Sequence, residues 1–255
     1  MNGTGEALAV FDDGGGAALY VGGDFSTAGG VDADHIARWD GTTWSALGDG
    51  VDDTVFALAV YDDGTGPALY AGGRFRNAGG AAASGVARWD GSTWSPLGGG
   101  TSTAQVFALG VYDGGAGPAL FVGGDFDDAG GVTVNNIARW DGASWSALGG
   151  AGAEGVNGAV RALAEFDGGP AGSALYVGGS LASAGGQTAA RLVRWDGASW
   201  SSPPGGAAAP EGPVFALGLF DFGDGERLVT GSFAGSPGSG TGRFLTSFDG
   251  TGWID

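Results

Sequence analysis

The segment VFALAVYDDGTGPALYAGGRFRNAGGAAASGVARWDGSTWSPLG, residues 55–98, decides how this chain folds. Its first eight residues set Phe56, Leu58 and Val60 against Ala57, Ala59 and Tyr61, and a period of two is the mark of a strand. DDGTGP is a cluster of turn formers. ALYAGGRF reads as a second strand, NAGGAAASG as a loop and GVARW as a third strand. Asp90-Gly91 then predicts a tight hairpin turn, and STWSPLG returns as a fourth strand broken by glycines. Nothing in the segment leaves room for a helix, so it predicts a four-stranded antiparallel meander.

Nearly the same words recur through all 255 residues. ALAVFDDGGGAALYVGGDF (7–25) returns as ALAVYDDGTGPALYAGGRF (57–75), ALGVYDGGAGPALFVGGDF (108–126) and ALAEFDGGPAGSALYVGGSL (162–181), and in degraded form as ALGLFDFGDGERLVTGSF (216–233). Each copy leads to the aspartate of a hairpin: Asp40, Asp90, Asp141, Asp196 and Asp249, at spacings of 50, 51, 55 and 53 residues. The five copies run over about 6–50, 55–100, 106–150, 160–205 and 214–255 and account for the whole chain. One small sheet cannot bury both of its faces, whereas several set radially can, each packing on its neighbour. We therefore expect one domain over 1–255: an all-β, five-bladed β-propeller with a four-stranded antiparallel meander in each blade.

A period of about 50 residues with four strands is that of a kelch repeat. The order of a strand, a strand ending in Gly-Gly, a strand ending in an aromatic and a Trp-bearing strand, here ALYVGG…IARWDGTTWSAL within 18–47, resembles the kelch-type blade of galactose-oxidase-type propellers in a non-catalytic form. The resemblance covers all five copies and implies the fold without implying a function. WDGTTW also resembles the Asp-box of sialidase-like propellers, S-x-D-x-G-x-x-W. Gly41 directly follows Asp40 and the Trp comes one residue early, and such boxes are structural.

The copies register so that MNGTGEALAV (1–10) aligns with VNGAVRALAE (156–165). Each blade then uses consecutive residues, and ring closure is expected to rest on side-chain packing of the first copy against the fifth. That seam should be the weakest in the fold, because Gly231-Ser232 stands for Gly-Gly and Phe248 for Trp in the last copy.

Composition excludes several function classes. There is no cysteine, hence no disulfide framework, thiolate metal site or cysteine nucleophile. All ten basic residues are arginines and the net charge is −18, which repels nucleic acid and anionic membranes. No apolar run nears the ~20 residues of a membrane span, and the N-terminal residues lack the pattern of a signal peptide. A triad needs a histidine with partners, and His35 is alone in a polar loop. Paired carboxylates converging on the axis are not evident, since the inner strands read as Ala, Leu and Val with only Glu165 interrupting. The chain is therefore expected not to be an enzyme.

In such a meander the first–second and third–fourth turns share one face. It carries Asp12, Asp13, Asp40, Asp62, Asp63, Asp90, Asp113, Asp141, Asp167, Asp196, Asp221, Asp224 and Asp249, 13 of the 28 acids. Asp before Gly is a turn former, so no cofactor is expected beyond weak Ca²⁺ binding at Asp12, Asp13, Asp62 and Asp63. The opposite face carries the linkers 49–55, 99–106, 150–160 and 203–214 and the loops 26–35, 76–85 and 127–136, where the copies differ most. Loops on a rigid scaffold carry function, which makes Arg74, Arg76, His35, Asn135 and Asn136 the candidate ligand contacts. The expected function is a non-enzymatic binding module, extracellular or at a cell surface, monomeric or part of a larger array. Its partner would be a protein or a glycan, with a lectin or a self-assembling repeat unit as the alternatives.

The tryptophans belong to the scaffold in this reading. Trp39/Trp44, Trp89/Trp94, Trp140/Trp145 and Trp195/Trp200 flank four hairpins and Trp253 sits with Phe248 in the fifth. A recurring aromatic pair serves blade-to-blade packing, at ~150–250 Å² of buried surface per ring. Trp94→Ala is therefore expected to cost about 3–5 kcal/mol in a denaturant titration. A variant that loses ligand while melting like the parent would reverse that assignment.

Overall fold

The structure, a computed structural model, describes residues 1–150, 154–168, 172–204, 210, 212–232 and 245–254. Among these there is no helix. Five four-stranded antiparallel sheets follow one another, each a meander of consecutive segments. The second consists of Val55–Asp62, Pro67–Gly73, Val86–Trp89 and Trp94–Pro96. The first strands of the others are Thr4–Asp12, Val106–Asp113, Val160–Phe166 and Val214–Asp221. The first strand of each sheet packs beside that of the next, from the first sheet through to the fifth.

The core is a series of layers between successive sheets. Phe11, Tyr20 and Ile36 of the first sheet meet Val55, Leu69 and Trp89 of the second. Tyr61, Tyr70 and Val86 meet Val106, Leu120 and Trp140. Phe121 and Ile137 meet Val160, Leu175 and Trp195, and Phe166, Tyr176 and Leu192 meet Val214, Leu228 and Phe248.

The Gly-Gly doublet exists because two things crowd it. A Cβ on Gly72 would lie 2.6 Å from Val106 Cγ1 of the next sheet, and one on Gly73 would lie 2.2 Å from the Thr54 carbonyl of its own. Gly22, Gly123 and Gly178 face Val55, Val160 and Val214 at 2.4–2.6 Å in the same way. The second crowding arises at a β-bulge in the first strand, between Val55 and Ala57 and at the equivalent place in every sheet. A bulge bends the strand and raises its twist.

The same bulge corrects the inner strands as read from sequence. Glu165 is not their sole interruption. Phe56 and Phe107 stand with ring centroids 5.6 Å apart, and the Arg161 guanidinium lies 4.1 Å above the Phe107 ring and 6.0 Å from that of Phe215. A period of two cannot anticipate this, because the extra residue breaks the alternation.

Two further expectations need correction. The second–third loops are not irregular: each holds a small ribbon, Thr27–Ala28 with Val31–Asp32, Asn77–Ala78 with Ala81–Ala82, Asp128–Ala129 with Val132–Thr133 and Ser183–Ala184 with Gln187–Thr188. Their Gly-Gly turns have both φ angles positive, 55° and 78° at Gly79 and Gly80, as a two-residue hairpin turn demands. The expected seam between the first and fifth copies is also not packed. Among the described residues the strands of these sheets share no interface like the other four, and Leu8, Val10, Phe220 and Leu245 are exposed.

The crowding at the doublet has a measurable cost. Gly72→Ala should destabilise by about 1–3 kcal/mol, as overpacking does. Gly218→Ala, where a Cβ meets nothing within 4 Å, should stay within about 0.5 kcal/mol of the parent. Urea midpoints of the two variants make the comparison, and equal effects would remove close approach as the reason for the doublet.

Candidate functional site

The site is best built from the scaffold outward. Each tryptophan pair closes a hairpin, with ring centroids 5.0–5.3 Å apart in all four, and Trp253 pairs with Phe248 at 5.3 Å. The first tryptophan lies between sheets: Trp89, Trp140 and Trp195 are buried. The second reaches back to the preceding sheet. The indole N–H groups of Trp94, Trp145 and Trp200 donate to the carbonyls of Leu47, Leu97 and Leu148 at 2.8, 3.2 and 3.3 Å. Trp39 and Trp44 are only half-buried, as the first sheet has no predecessor.

At the turn end, the acids are occupied as acceptors. Asp12 Oδ1 takes the N–H groups of Gly14 and Gly16, both at 2.9 Å, and Asp62 does the same with Gly64 and Gly66. Asp13 accepts from the Gly15 N–H and the Tyr20 hydroxyl and pairs with Arg38 at 2.9 Å. Asp63 accepts from the Thr65 N–H and the Tyr70 hydroxyl and pairs with Arg88 at 3.1 Å. Burial, and then the bond to Asp13, pushes the Tyr20 hydroxyl up to about 12. Burial opposes ionisation of Asp13, but Tyr20, the Gly15 N–H and Arg38 outweigh it and hold the carboxyl below its usual range. Oδ1 of each of these four aspartates thus accepts at least one turn N–H.

The opposite end of the sheets holds the polar clefts. Ahead of the first three sheets, the entering segment clips the loop of its sheet through a side chain. Asn2 Oδ1 accepts the N–H groups of Ser26 and Thr27, Asp52 Oδ1 those of Arg76 and Asn77, and Ser102 Oγ those of Asp127 and Asp128. Sequence reasoning missed this device, whose signal is an Asn, Asp or Ser a few residues ahead of each first strand. Two cavities lie between the second–third loops and the linkers. One, of about 450 Å³, is lined by Asp53, Arg74, Arg76 and residues 102–105. The other, of about 370 Å³, is lined by Asn135, Asn136, residues 154–157, Ser183 and Gly186.

The structure thus divides the five candidate contacts. Arg74 and Arg76 share one cleft, Asn135 and Asn136 the other, and His35 lies in neither. Arg74 is engaged already, its guanidinium forking onto Asp53 with Nε at 3.1 Å and Nη2 at 3.1 Å; the Arg74 bond is the main reason the Asp53 carboxyl sits below its usual range. Arg76 makes no ion pair among the described residues. Asn135 and Asn136 donate their amides to the carbonyls of Glu154 and Val156. His35, Asn136 and Arg191 all have φ of 60–62°, and Gly85, their counterpart in the second sheet, 83°. That position needs the left-handed region, which Asn and Gly adopt most readily, so His35 and Asn136 mark a backbone constraint rather than loop drift. The His35 ring contacts the Gly23 carbonyl at 3.3 Å and lies 3.9 Å from Asp24.

No protein-family model matches the chain, and no curated protein matches it. Among solved structures it is similar to the GH74 xyloglucanase from Xanthomonas campestris, at 17% identity and a TM-score of 0.43, over 99% of this chain and 45% of that one. The chain spans less than half the length of that protein.

The hairpin acids set a pH dependence. The Asp90 carboxylate is held well below its ordinary range by the Thr93 N–H and then the Ser92 N–H, Asp40 by Thr43 and Thr42, and Asp141 by Ser144 and Ala143. With the folded pKa depressed, the unfolded chain binds protons first as pH falls. Stability should be level above about pH 5 and decline below about pH 4, near the ordinary aspartate value. Urea midpoints between pH 7 and 3 check this. Asp90→Asn should flatten the decline, and a profile that rises on acidification would contradict it.

Proposed function

We propose that the five sheets are blades of a kelch-like β-propeller and that the chain is a non-enzymatic binding module working outside the cell, with ligands taken on the loop face. The single observation that carries this reading is the cleft between Asp53, Arg74, Arg76 and residues 102–105. There an arginine without an ion-pair partner stands on rigid, clipped loops, in a chain whose net charge is −18. Rigid loops limit the ordering cost of binding, and a planar guanidinium suits carboxylates and vicinal hydroxyls. The partner is accordingly a protein segment or a glycan bearing such groups, not nucleic acid or a lipid bilayer. The acids of the turn end support the same reading, since their carboxylates are committed to turn N–H groups.

A lectin is the second reading, and one further cleft favours it. A cavity of about 230 Å³ is lined by Trp195, Trp200, Gln187 and Ser199 with the backbone of Gly149, Gly150 and Gly185. An indole edge beside amide and hydroxyl groups is suited to a sugar ring.

A glycan panel followed by calorimetry tests both. For a ligand of the Arg76 cleft, Arg76→Ala should weaken binding about tenfold and leave the melting temperature unchanged, as the guanidinium holds no partner. Gln187→Ala should do the same for a ligand of the tryptophan cleft. Binding indifferent to both variants would place the ligand elsewhere on the molecule.

A further inference from the structure

The two ends of the stack are the two halves of one interface. Inside the molecule that interface forms four times, and in each case the leaving face of one sheet covers the entering face of the next. On the leaving face stand two recurring residues. Phe11, Tyr61, Tyr112 and Phe166 are 1–4% exposed, and Ile36, Val86, Ile137 and Leu192 are 0–1% exposed. Their counterparts in the fifth sheet are Phe220, at 57%, and Leu245, at 71%. On the entering face, Leu58, Leu109, Leu163 and Leu217 pack on the layer formed by the preceding sheet. Their counterpart in the first sheet is Leu8, at 67%, beside the equally exposed Val10.

Repeat stacks need polar terminal caps to stay apart in water. The two outer faces of the described sheets keep much of this apolar character: the first copy has ALAVF (7–11) where the second has ALAVY (57–61), although Gly5 and Glu6 stand where Val55 and Phe56 do, and the fifth has Phe220 and Leu245 where the others have buried apolar residues. Exposed apolar side chains of this size in register mark an interaction surface. The surface is continuous with an interface that the chain already makes, and one end supplies what the other lacks.

We propose that the fifth sheet of one copy receives the first sheet of a second copy of this chain, head to tail, in a fifth occurrence of the internal interface. Because the mating faces differ, the contact is heterologous and passes from copy to copy. It closes into a ring where the rotation per sheet divides a full turn, and otherwise grows as an open array. The occupant is a second copy because the leaving face asks for a leucine-bearing first strand next to a doublet glycine, Gly231, and Thr4–Asp12 with Leu8 is such a strand, with Gly5 in place of the valine of the internal interfaces. This inference does not depend on the ligand clefts, whose linings include none of Leu8, Val10, Phe220 and Leu245.

Sedimentation of the full chain across concentrations tests it, with Leu8→Glu and Leu245→Glu as variants. Both side chains are exposed, so both variants should fold, with unchanged circular dichroism and melting at low concentration. The parent should grow in multiples of the chain mass. Each single variant should associate at least about tenfold more weakly. An equimolar mixture of the two retains one good leaving face and one good entering face, and should give a one-to-one pair that grows no further. The double variant should remain monomeric.

A parent that stays monomeric at every concentration would overturn the proposal. If Leu8→Glu then also lowered the melting temperature, the first and fifth sheets of a single copy would be meeting each other instead. Association that neither variant weakens, or a mixture that forms no pair, would equally rule out head-to-tail stacking. Ligand binding that persists or fails in the monomeric double variant reports separately on the clefts.

Discussion

Everything in this molecule depends on how closely one sheet approaches the next. A glycine at the end of each second strand leaves a notch, and the valine that opens the next sheet fills it: Gly22 with Val55, Gly72 with Val106, Gly123 with Val160, Gly178 with Val214. The second tryptophan of each hairpin then reaches back across the same boundary to a leucine carbonyl. The first contact sets the spacing near the inner strands and the second sets it at the outer ones, so each sheet is oriented by its predecessor. Dispersion at such boundaries is large only when the gap is closed, because a separation of half an ångström already forfeits much of it. This explains a chain with 58 glycines and a packed core. The doublet glycines are places where a side chain would hold apart surfaces that must touch, whereas Gly14, Gly16, Gly30 and their counterparts serve turns with positive φ where a Cβ would meet nothing.

The two ends of the sheets have separate duties under this constraint. At the turn end, carboxylates satisfy the N–H groups that tight turns expose, and Asp13 and Asp63 extend the network to a tyrosine and an arginine. The abundance of acid there is a consequence of turn geometry repeated five times. At the loop end the same need is met by a residue from the linker, and the ribbons it pins form the walls of clefts between neighbouring sheets. The proposed ligand contacts of the Arg76 cleft fall at that end, where repetition is relaxed: the linkers differ in length and the cleft residues differ between copies, and the clip itself changes from Asn2 to Asp52 to Ser102.

A stack built from one repeated boundary also has an unavoidable property: it has ends. Sheets in the interior are covered on both faces, and the first and fifth are covered on one. The exposure of Leu8 and Leu245, against near-complete burial of Ile36, Val86, Ile137 and Leu192, follows from position in the stack and not from any change in chemistry. The outermost described sheets keep interior side chains at these positions, and the self-association proposed above draws on the repeat itself.

Much of the fold was legible without coordinates. Alternation over 55–62, the Gly-Gly doublet, the Asp-Gly hairpins and the period of about 50 residues place all twenty strands of the five sheets, because pleating, turn sterics and hairpin twist are local and act on residues close in the chain. The recurrence of the tryptophans marked the hairpins that they flank, and the candidate arginines and asparagines were read into the loops between second and third strands. The bulge that turns Phe56, Phe107 and Arg161 toward one another, the linker residue that clips the loops and the division of the candidate contacts into two clefts were decided only in three dimensions. The clips and the ring contacts join residues some 24–54 positions apart, whereas the ribbons pair residues three to five apart around a Gly-Gly turn that the sequence displays. The open seam is the clearest case. Whether five sheets return to their starting point depends on the rotation contributed by each of four packed boundaries, a sum over the whole structure that no single stretch of sequence carries.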